Sequence, residues 1–157
     1  MRRFLLDTNI ILGITRGASW ARRASNQFGF GRREVVCATS VVCVGEIRAL
    51  AEKSGWGSKR RIRLESLLEK FLVLPIKNHE ILTAYALIDA WTSGKPVEAP
   101  LGTPPLRPAR KMGKNDLWIA ATAHVTRAAL LSTDRDFEHL GDVWFVYHFV
   151  DQAEEPT

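Results

Sequence analysis

Short apolar runs alternate with helical segments along almost all of this 157-residue chain, and this alternation limits the folds available to it. The runs typical of buried strands are residues 4–6, 34–38, 71–74, 128–131 and 144–150. Apolar side chains have helical spacing in residues 10–17, 22–30, 40–53, 58–70, 78–91 and 116–126. Strands separated by helices pair in parallel, because a parallel pair needs a long crossover connection. The pattern predicts a three-layer α/β/α sandwich with a central, mainly parallel sheet.

The length is that of one domain, which we predict to span residues 1–150, followed by an acidic tail at 151–157. Residues 93–114 interrupt the alternation, since five of the seven prolines lie there. We predict a Pro/Gly-rich loop, and loops of this length are usually functional or disordered. In the helix predicted at 58–70, the apolar residues expected to face the core are Ile62, Leu64, Leu67 and Leu68.

Four acidic residues lie where an apolar run meets a helix or a turn: Asp7, Glu46, Asp116 and Asp134. In an open parallel sheet, ligands bind beyond the carboxyl ends of the strands. Taken singly, Asp7 is equally explained as a turn residue and Asp116 as a helix cap. Taken together, the four predict one acidic site at the carboxyl edge of the sheet.

Glu46 is the acid that most needs a partner, because it lies at the edge of the apolar stripe of its helix. One candidate partner is an arginine, such as Arg48 or Arg127. The other is a metal ion bound jointly with the remaining acids.

Carboxylates gathered in one place repel one another and are costly unless cations neutralise them. Oxygen ligands without histidine or cysteine favour Mg²⁺ or Mn²⁺ over zinc. Such ions are suited to hydrolysis of a phosphodiester, since they bind the phosphate and activate water. The acids therefore predict a metal-dependent hydrolase.

The balance of charge points to a polyanionic substrate. The chain has 22 Lys and Arg against 17 Asp and Glu, a formal net charge of +5. A basic exterior around an acidic site suits a nucleic acid, although the same charge could serve solubility alone. Lys111 and Lys114 precede Asp116 closely, so we interpret them as candidates for RNA contact and the other basic clusters as solvated surface.

Cysteine usage and hydropathy suggest a reduced, membrane-free setting. Cys37 and Cys43 lie in apolar runs without a zinc-binding pattern, and we interpret them as buried free thiols. The basic amino terminus imitates a signal peptide, but Asp7 interrupts its apolar stretch too early. No run has the length that spans a bilayer. We expect a cytoplasmic protein.

Four segments resemble, in order and spacing, the acidic motifs of the PIN-domain ribonucleases, and most closely those of the VapC-type toxins of bacterial toxin-antitoxin pairs. They are residues 5–9, 40–46, 114–123 and 132–137. The resemblance extends from residue 3 to residue 150. It implies an endoribonuclease that requires Mg²⁺ or Mn²⁺, cuts tRNA or ribosomal RNA, forms a homodimer and is restrained by a VapB-like antitoxin.

The resemblance also assigns roles to residues. The metal-binding acids would be Asp7, Glu46, Asp116 and Asp134, with Asp136 as an alternative or additional ligand. The residues that would hydrogen-bond to these acids without binding the ions are Thr8, Asn9, Ser40 and Asn115.

Two other functions are compatible with the residues. The first is a catalytically silent module that binds RNA or a protein, which a complete acidic set disfavours. The second is a metal-dependent phosphatase for small molecules, which the extent of the basic surface disfavours. Metal-dependent cleavage of RNA distinguishes the ribonuclease from both.

Overall fold

The computed structural model describes residues 1–98 and 103–153. Its strands are β1 Arg2–Leu6, β2 Val35–Ser40, β3 Leu72–Leu74, β4 Ala129–Ser132 and β5 Tyr147–Phe149. They form one sheet in the order β3-β2-β1-β4-β5, and every neighbouring pair is parallel. Helices flank this sheet, so the predicted α/β/α sandwich with a parallel sheet is confirmed.

The helices are α1 Thr8–Arg16, α2 Ser19–Phe28, α3 Val41–Lys53, α4 Ser58–Leu68, α5 His79–Thr92 and α6 Lys114–Thr126, and Arg135–Leu140 form a 3₁₀ helix. Several begin where a polar side chain accepts a hydrogen bond from the first turn. Asp7 caps α1, Ser40 caps α3 and Asn78 caps α5. Gly17 ends α1 in the left-handed conformation that glycine adopts without strain.

Strand β1 is the centre of the molecule. It lies between β2 and β4, with Leu5 opposite Ala38 on one side and Leu130 on the other. Phe4, Leu5 and Leu6 are buried, as expected for a strand covered on both faces. The residue that follows β1 is therefore held by the most rigid part of the core.

One predicted core position is wrong. Ile62 is 66% exposed, whereas Leu64 and Leu68 are buried and Leu67 packs partly against the core. Ile62 lies two residues before Leu64, which places it roughly 200° away around the helix. One apolar stripe of α4 cannot contain both residues.

The predicted loop and tail lie partly outside the described residues, at 99–102 and 154–157. Residues 103–113 contain neither helix nor strand, in keeping with the loop prediction, and α6 then begins at Lys114. Cys43 is buried and Cys37 half-buried, and both are free thiols. Within the ranges described, no helix has both the length and the apolar character needed to cross a membrane.

Candidate metal centre

The predicted acids lie at the carboxyl edge of the sheet. Asp7 directly follows β1, and Asp134 follows β4 after one intervening residue. Glu46 lies on α3, which begins directly after β2. Asp116 lies in the first turn of α6. The sheet order reverses between β1 and β4, which is the point where open parallel sheets bind ligands.

Asp7 is the buried member of the group, with 5% of its surface exposed. The Thr8 backbone N–H donates to its Oδ1 at 2.7 Å, and the Ser132 hydroxyl donates to its Oδ2 at 2.6 Å. Burial nevertheless raises the pKa of Asp7 to about 6, and the negative charges of Glu46 and Asp134 add to that rise against the lowering effect of both hydrogen bonds. The first acid is thus held rigidly in a position that disfavours its charge.

Asp116, on α6, also has a carboxylate whose charged form is disfavoured in the folded protein. Its pKa is also raised to about 6, first by burial and then by the charges of Asp7, Asp134, Glu46 and Asp136. Four other carboxylates are therefore near enough to act on it. The predicted acids therefore act on the charge of Asp116.

Gly113 sets the space that the Asp116 carboxylate occupies. A Cβ atom at Gly113 would lie 2.9 Å from Oδ2 of Asp116, closer than such contacts are found. The backbone of Gly113 has an ordinary negative φ of −66°, so a larger residue here would conflict with the Asp116 side chain and not with the backbone. No pattern in the sequence singles out this residue.

Glu46 has hydroxyl and amide partners. The Thr8 hydroxyl donates to its Oε2 at 2.5 Å, and Asn115 Nδ2 donates to its Oε1 at 2.8 Å. The alternative of an arginine partner is wrong, because Arg48 pairs with Glu65 at 2.9 Å and Arg127 caps the far end of α6.

The two acids of the last motif differ in their surroundings. Asp134 is partly buried, and its Oδ1 accepts a hydrogen bond from the Asp136 backbone N–H at 2.8 Å. Asp136 is exposed, and its carboxylate pairs with Arg110 at 3.1 Å. Tyr147 fixes the backbone between them by donating to the Asp134 carbonyl at 2.8 Å.

The predicted hydrogen-bonding residues separate into two groups. Thr8 and Asn115 contact Glu46 as described, whereas Ser40 is fully buried and its hydroxyl accepts from Val42 N–H as the cap of α3. Asn9 is exposed on α1.

Ser132 is the residue that the sequence interpretation missed. Its hydroxyl donates to Asp7 and accepts from the Asp134 backbone N–H at 3.0 Å, so it joins the first and fourth acids. A serine that ends an apolar strand just before the last motif was the available signal.

The donor chemistry suits a hard divalent cation. Carboxylate oxygens without sulfur or imidazole are ligands for Mg²⁺ or Mn²⁺, and such an ion would relieve the repulsion that raises two pKa values. As placed, no three Asp, Glu, His or Cys side chains among the described residues converge tightly enough to enclose an ion.

The family described as the PIN domain matches residues 4–143. The chain belongs to the PIN-domain family. The family resemblance that the order and spacing of the motifs predicted is thus confirmed. No curated protein matches this PIN-domain chain.

Solved structures share the PIN-domain fold over nearly their whole length. VapBC2 from Rickettsia felis, bound to a DNA fragment from its promoter, has a TM-score of 0.71 at 16% identity, covering 95% of this chain and 99% of that chain. DNA-bound VapBC from Salmonella typhimurium has a TM-score of 0.67 at 21% identity, with 96% and 100% covered. FitAcB from Neisseria gonorrhoeae has a TM-score of 0.66 at 24% identity, covering 92% of this chain and 96% of that chain. At these identities the likeness establishes the fold.

Proposed function

We propose that this PIN-domain chain is an endoribonuclease dependent on Mg²⁺ or Mn²⁺, with Asp7, Glu46, Asp116 and Asp134 as the metal-binding acids. The observation that carries the proposal is the placement of the acids at the carboxyl edge of the sheet, where hydrogen bonds hold Asp7 and Glu46. Burial and the other acids raise the pKa of Asp7 and of Asp116, in keeping with that placement. A cluster of carboxylates that disfavours its own negative charge would be stabilised by a bound cation. Membership of the PIN-domain family supports the same assignment.

The bound ions would supply a hydroxide from water and stabilise the charge that develops on the scissile phosphate. The chain contributes orientation. Ser132 and the Thr8 backbone hold both oxygens of Asp7, while the Thr8 hydroxyl and Asn115 hold both oxygens of Glu46. Carboxylates whose rotamers are fixed by such bonds lose less freedom when they bind a cation.

RNA is the proposed substrate, in particular tRNA or ribosomal RNA. The net charge of +5 supports a polyanion, because the excess of cations remains although several acids are gathered at one site. Lys111 and Lys114 are both exposed. Lys111 lies just before α6, and Lys114 is the first residue of this helix, whose first turn carries Asp116. They are the cations best placed to meet the backbone of a strand that enters the acidic site.

The biological role that we propose is that of a VapC-type toxin acting in the cytoplasm as a homodimer and inhibited by a VapB-like antitoxin. The support is family membership together with likeness to VapBC complexes from two bacteria. Copurification of this chain with the product of an adjacent small reading frame, and loss of RNA cleavage in that complex, would test the partner.

The decisive test of the enzymatic proposal is cleavage of total bacterial RNA by the purified protein with Mg²⁺ or Mn²⁺. Discrete cuts, mapped by sequencing the fragment ends, should disappear with a chelator and in Asp116→Ala. The exposed Asp89 provides a matched control, since Asp89→Asn removes a carboxylate of α5 that belongs to no acidic cluster described above. Persistent binding of RNA without any cleavage would favour the silent binding module.

A further inference from the structure

Residues 103–113, called here the basic strap, have no regular secondary structure but are attached to the end of α5. The buried indole of Trp91 donates from Nε1 to the Pro105 carbonyl at 3.0 Å. The backbone N–H of Arg110 donates to the Thr92 carbonyl at 2.6 Å. These bonds fix the course of the strap on one side.

The side chain of Arg110 attaches the strap to the acidic site on the other side. Its guanidinium pairs with Asp136 at 3.1 Å, and the backbone N–H of Asp136 donates to Asp134 Oδ1 at 2.8 Å. The strap is therefore joined, through one ion pair and one hydrogen bond, to an acid of the proposed metal centre. Arg110 is one residue before Lys111.

Lys111 and Lys114 are exposed and form no ion pair with any acid in the described part of the chain. Lys111 follows the fixed Arg110 in the strap, whereas Lys114 is the first residue of α6, so the anchoring of Arg110 determines where Lys111 lies relative to Lys114 and the acids. Arg110 itself is already neutralised by Asp136. The cations available to a phosphate are the lysines, and the arginine is the group that places Lys111.

We propose that Arg110 is a positioning residue for substrate: its ion pair with Asp136 holds Lys111 beside Lys114 and the acidic site, where the two lysines bind the phosphodiester backbone of RNA. This deepens the proposed function and rests on it for the identity of the substrate. It also assigns Asp136 a role other than metal binding, namely that of the anchor for the strap.

Charge alone predicts the opposite effect for one substitution. Removing the negative charge of Asp136 should favour a polyanion, and it should free Arg110 to bind phosphate directly. If the ion pair positions Lys111, the same substitution should weaken binding. Asp136→Asn therefore separates positioning from simple electrostatics.

The experiment measures binding of a labelled single-stranded oligoribonucleotide of mixed sequence by fluorescence anisotropy, with EDTA present to prevent cleavage. The variants are R110Q, D136N, the double variant, and the reversed pair R110D with D136R. The Arg48–Glu65 pair is the matched control, because it is equally exposed and connects α3 to α4. R48Q should leave Kd unchanged. Thermal melting of each variant confirms folding, since exposed ion pairs contribute little to stability.

We expect R110Q and D136N to raise Kd by the same factor, up to about fivefold, with no further increase in the double variant. The reversed pair should restore binding. The slope of log Kd against log salt should fall by about 0.7, because the loss of the one phosphate contact made by Lys111 on a single strand removes about that much.

Three results would overturn the proposal. Tighter binding by D136N with weaker binding by R110Q would make Arg110 a direct phosphate contact. Unchanged binding in both variants would make the pair structural. Unchanged binding by D136N with loss of cleavage would place Asp136 at the metals. The nuclease proposal fails separately, if the wild-type protein shows the expected binding pattern but cuts no RNA with any metal.

Discussion

Replacing Asp7 by asparagine should make the metal-free protein more stable at neutral pH. The buried carboxylate of Asp7 is disfavoured in the folded state, where its pKa lies at about 6 against an ordinary value of 3.8. At pH 7 that difference costs about 3 kcal/mol of folding free energy. Asparagine has the same shape and keeps an oxygen for the Thr8 N–H.

The gain should be smaller than the full cost. The hydrogen bond from Thr8 to Asp7 is assisted by the charge of the carboxylate and weakens when the acceptor is neutral, and the amide nitrogen that replaces Oδ2 in asparagine cannot accept a hydrogen bond from the Ser132 hydroxyl. We therefore expect a net gain of about 1–2 kcal/mol, which raises the melting temperature of a chain of this length by roughly 2–8 °C.

The sign of the pH dependence follows from a pKa that is raised on folding. Near the unfolded value of 3.8 and below, Asp7 is protonated in the folded protein and the two variants should have similar stability. As pH rises to about 6, the unfolded wild-type chain loses its proton first, and the wild-type protein loses stability. The difference in melting temperature between the two proteins should increase between pH 3.8 and about pH 6 and stay constant at higher pH.

Circular dichroism melts of both proteins in EDTA, from about pH 4 to about pH 7.5, measure that difference. Asp89→Asn, on the exposed surface of α5, should melt like the wild type throughout. Saturating Mn²⁺ should then reverse the order, since a ligand at a hundred times its Kd stabilises by about 2.7 kcal/mol and Asp7→Asn removes a ligand. An Asp7→Asn protein that is less stable than wild type at neutral pH, or a difference that ignores pH, would refute the reasoning.

Three further predictions concern the shape of the site. Gly113→Ala should fold normally but lose about 100-fold in cleavage rate, because its new methyl group displaces the flexible Asp116 carboxylate. Melting curves measure the folding and single-turnover experiments measure the cleavage rate. A normal cleavage rate would contradict the prediction. Ser132→Ala removes the hydrogen bond that lowers the pKa of Asp7, so the acidic limb of the pH–rate profile should move to higher pH, and an unmoved limb would count against that bond. Asn115→Ala frees one oxygen of the α3 glutamate and should weaken Mn²⁺ binding measured by calorimetry, with an unchanged Kd arguing against this role.

The fold was predictable because its signals are local. Strand β1 is a short apolar run that ends at an acid, and Ser40, as the N-cap of α3, indicates where that helix begins. The prediction for Ile62 failed because it followed from the hydrophobicity of the residue and not from its helical position, which lies away from the face of Leu64.

The candidate site was predictable in its members and not in their contacts. The four acids were predictable because Asp7 and Asp134 follow strands, and Glu46 and Asp116 lie near the start of helices that have their own apolar pattern. The partners of Glu46 were missed because Thr8 and Asn115 are 38 and 69 residues away along the chain, and only the packing of α1, α3 and α6 brings them together. The attachment of the basic strap lacks any periodic signal for the same reason.

The hydroxyl of Ser132 also determines when the site can exist. It reaches Asp7 across 125 residues of sequence, and β1 obtains its β4 neighbour only when that distance has been translated. Throughout that interval a nascent chain on the ribosome has the first acid without the serine or the fourth acid that complete its surroundings. The ribosome, itself built of RNA, thus finishes most of this polypeptide before the complete carboxylate cluster can assemble.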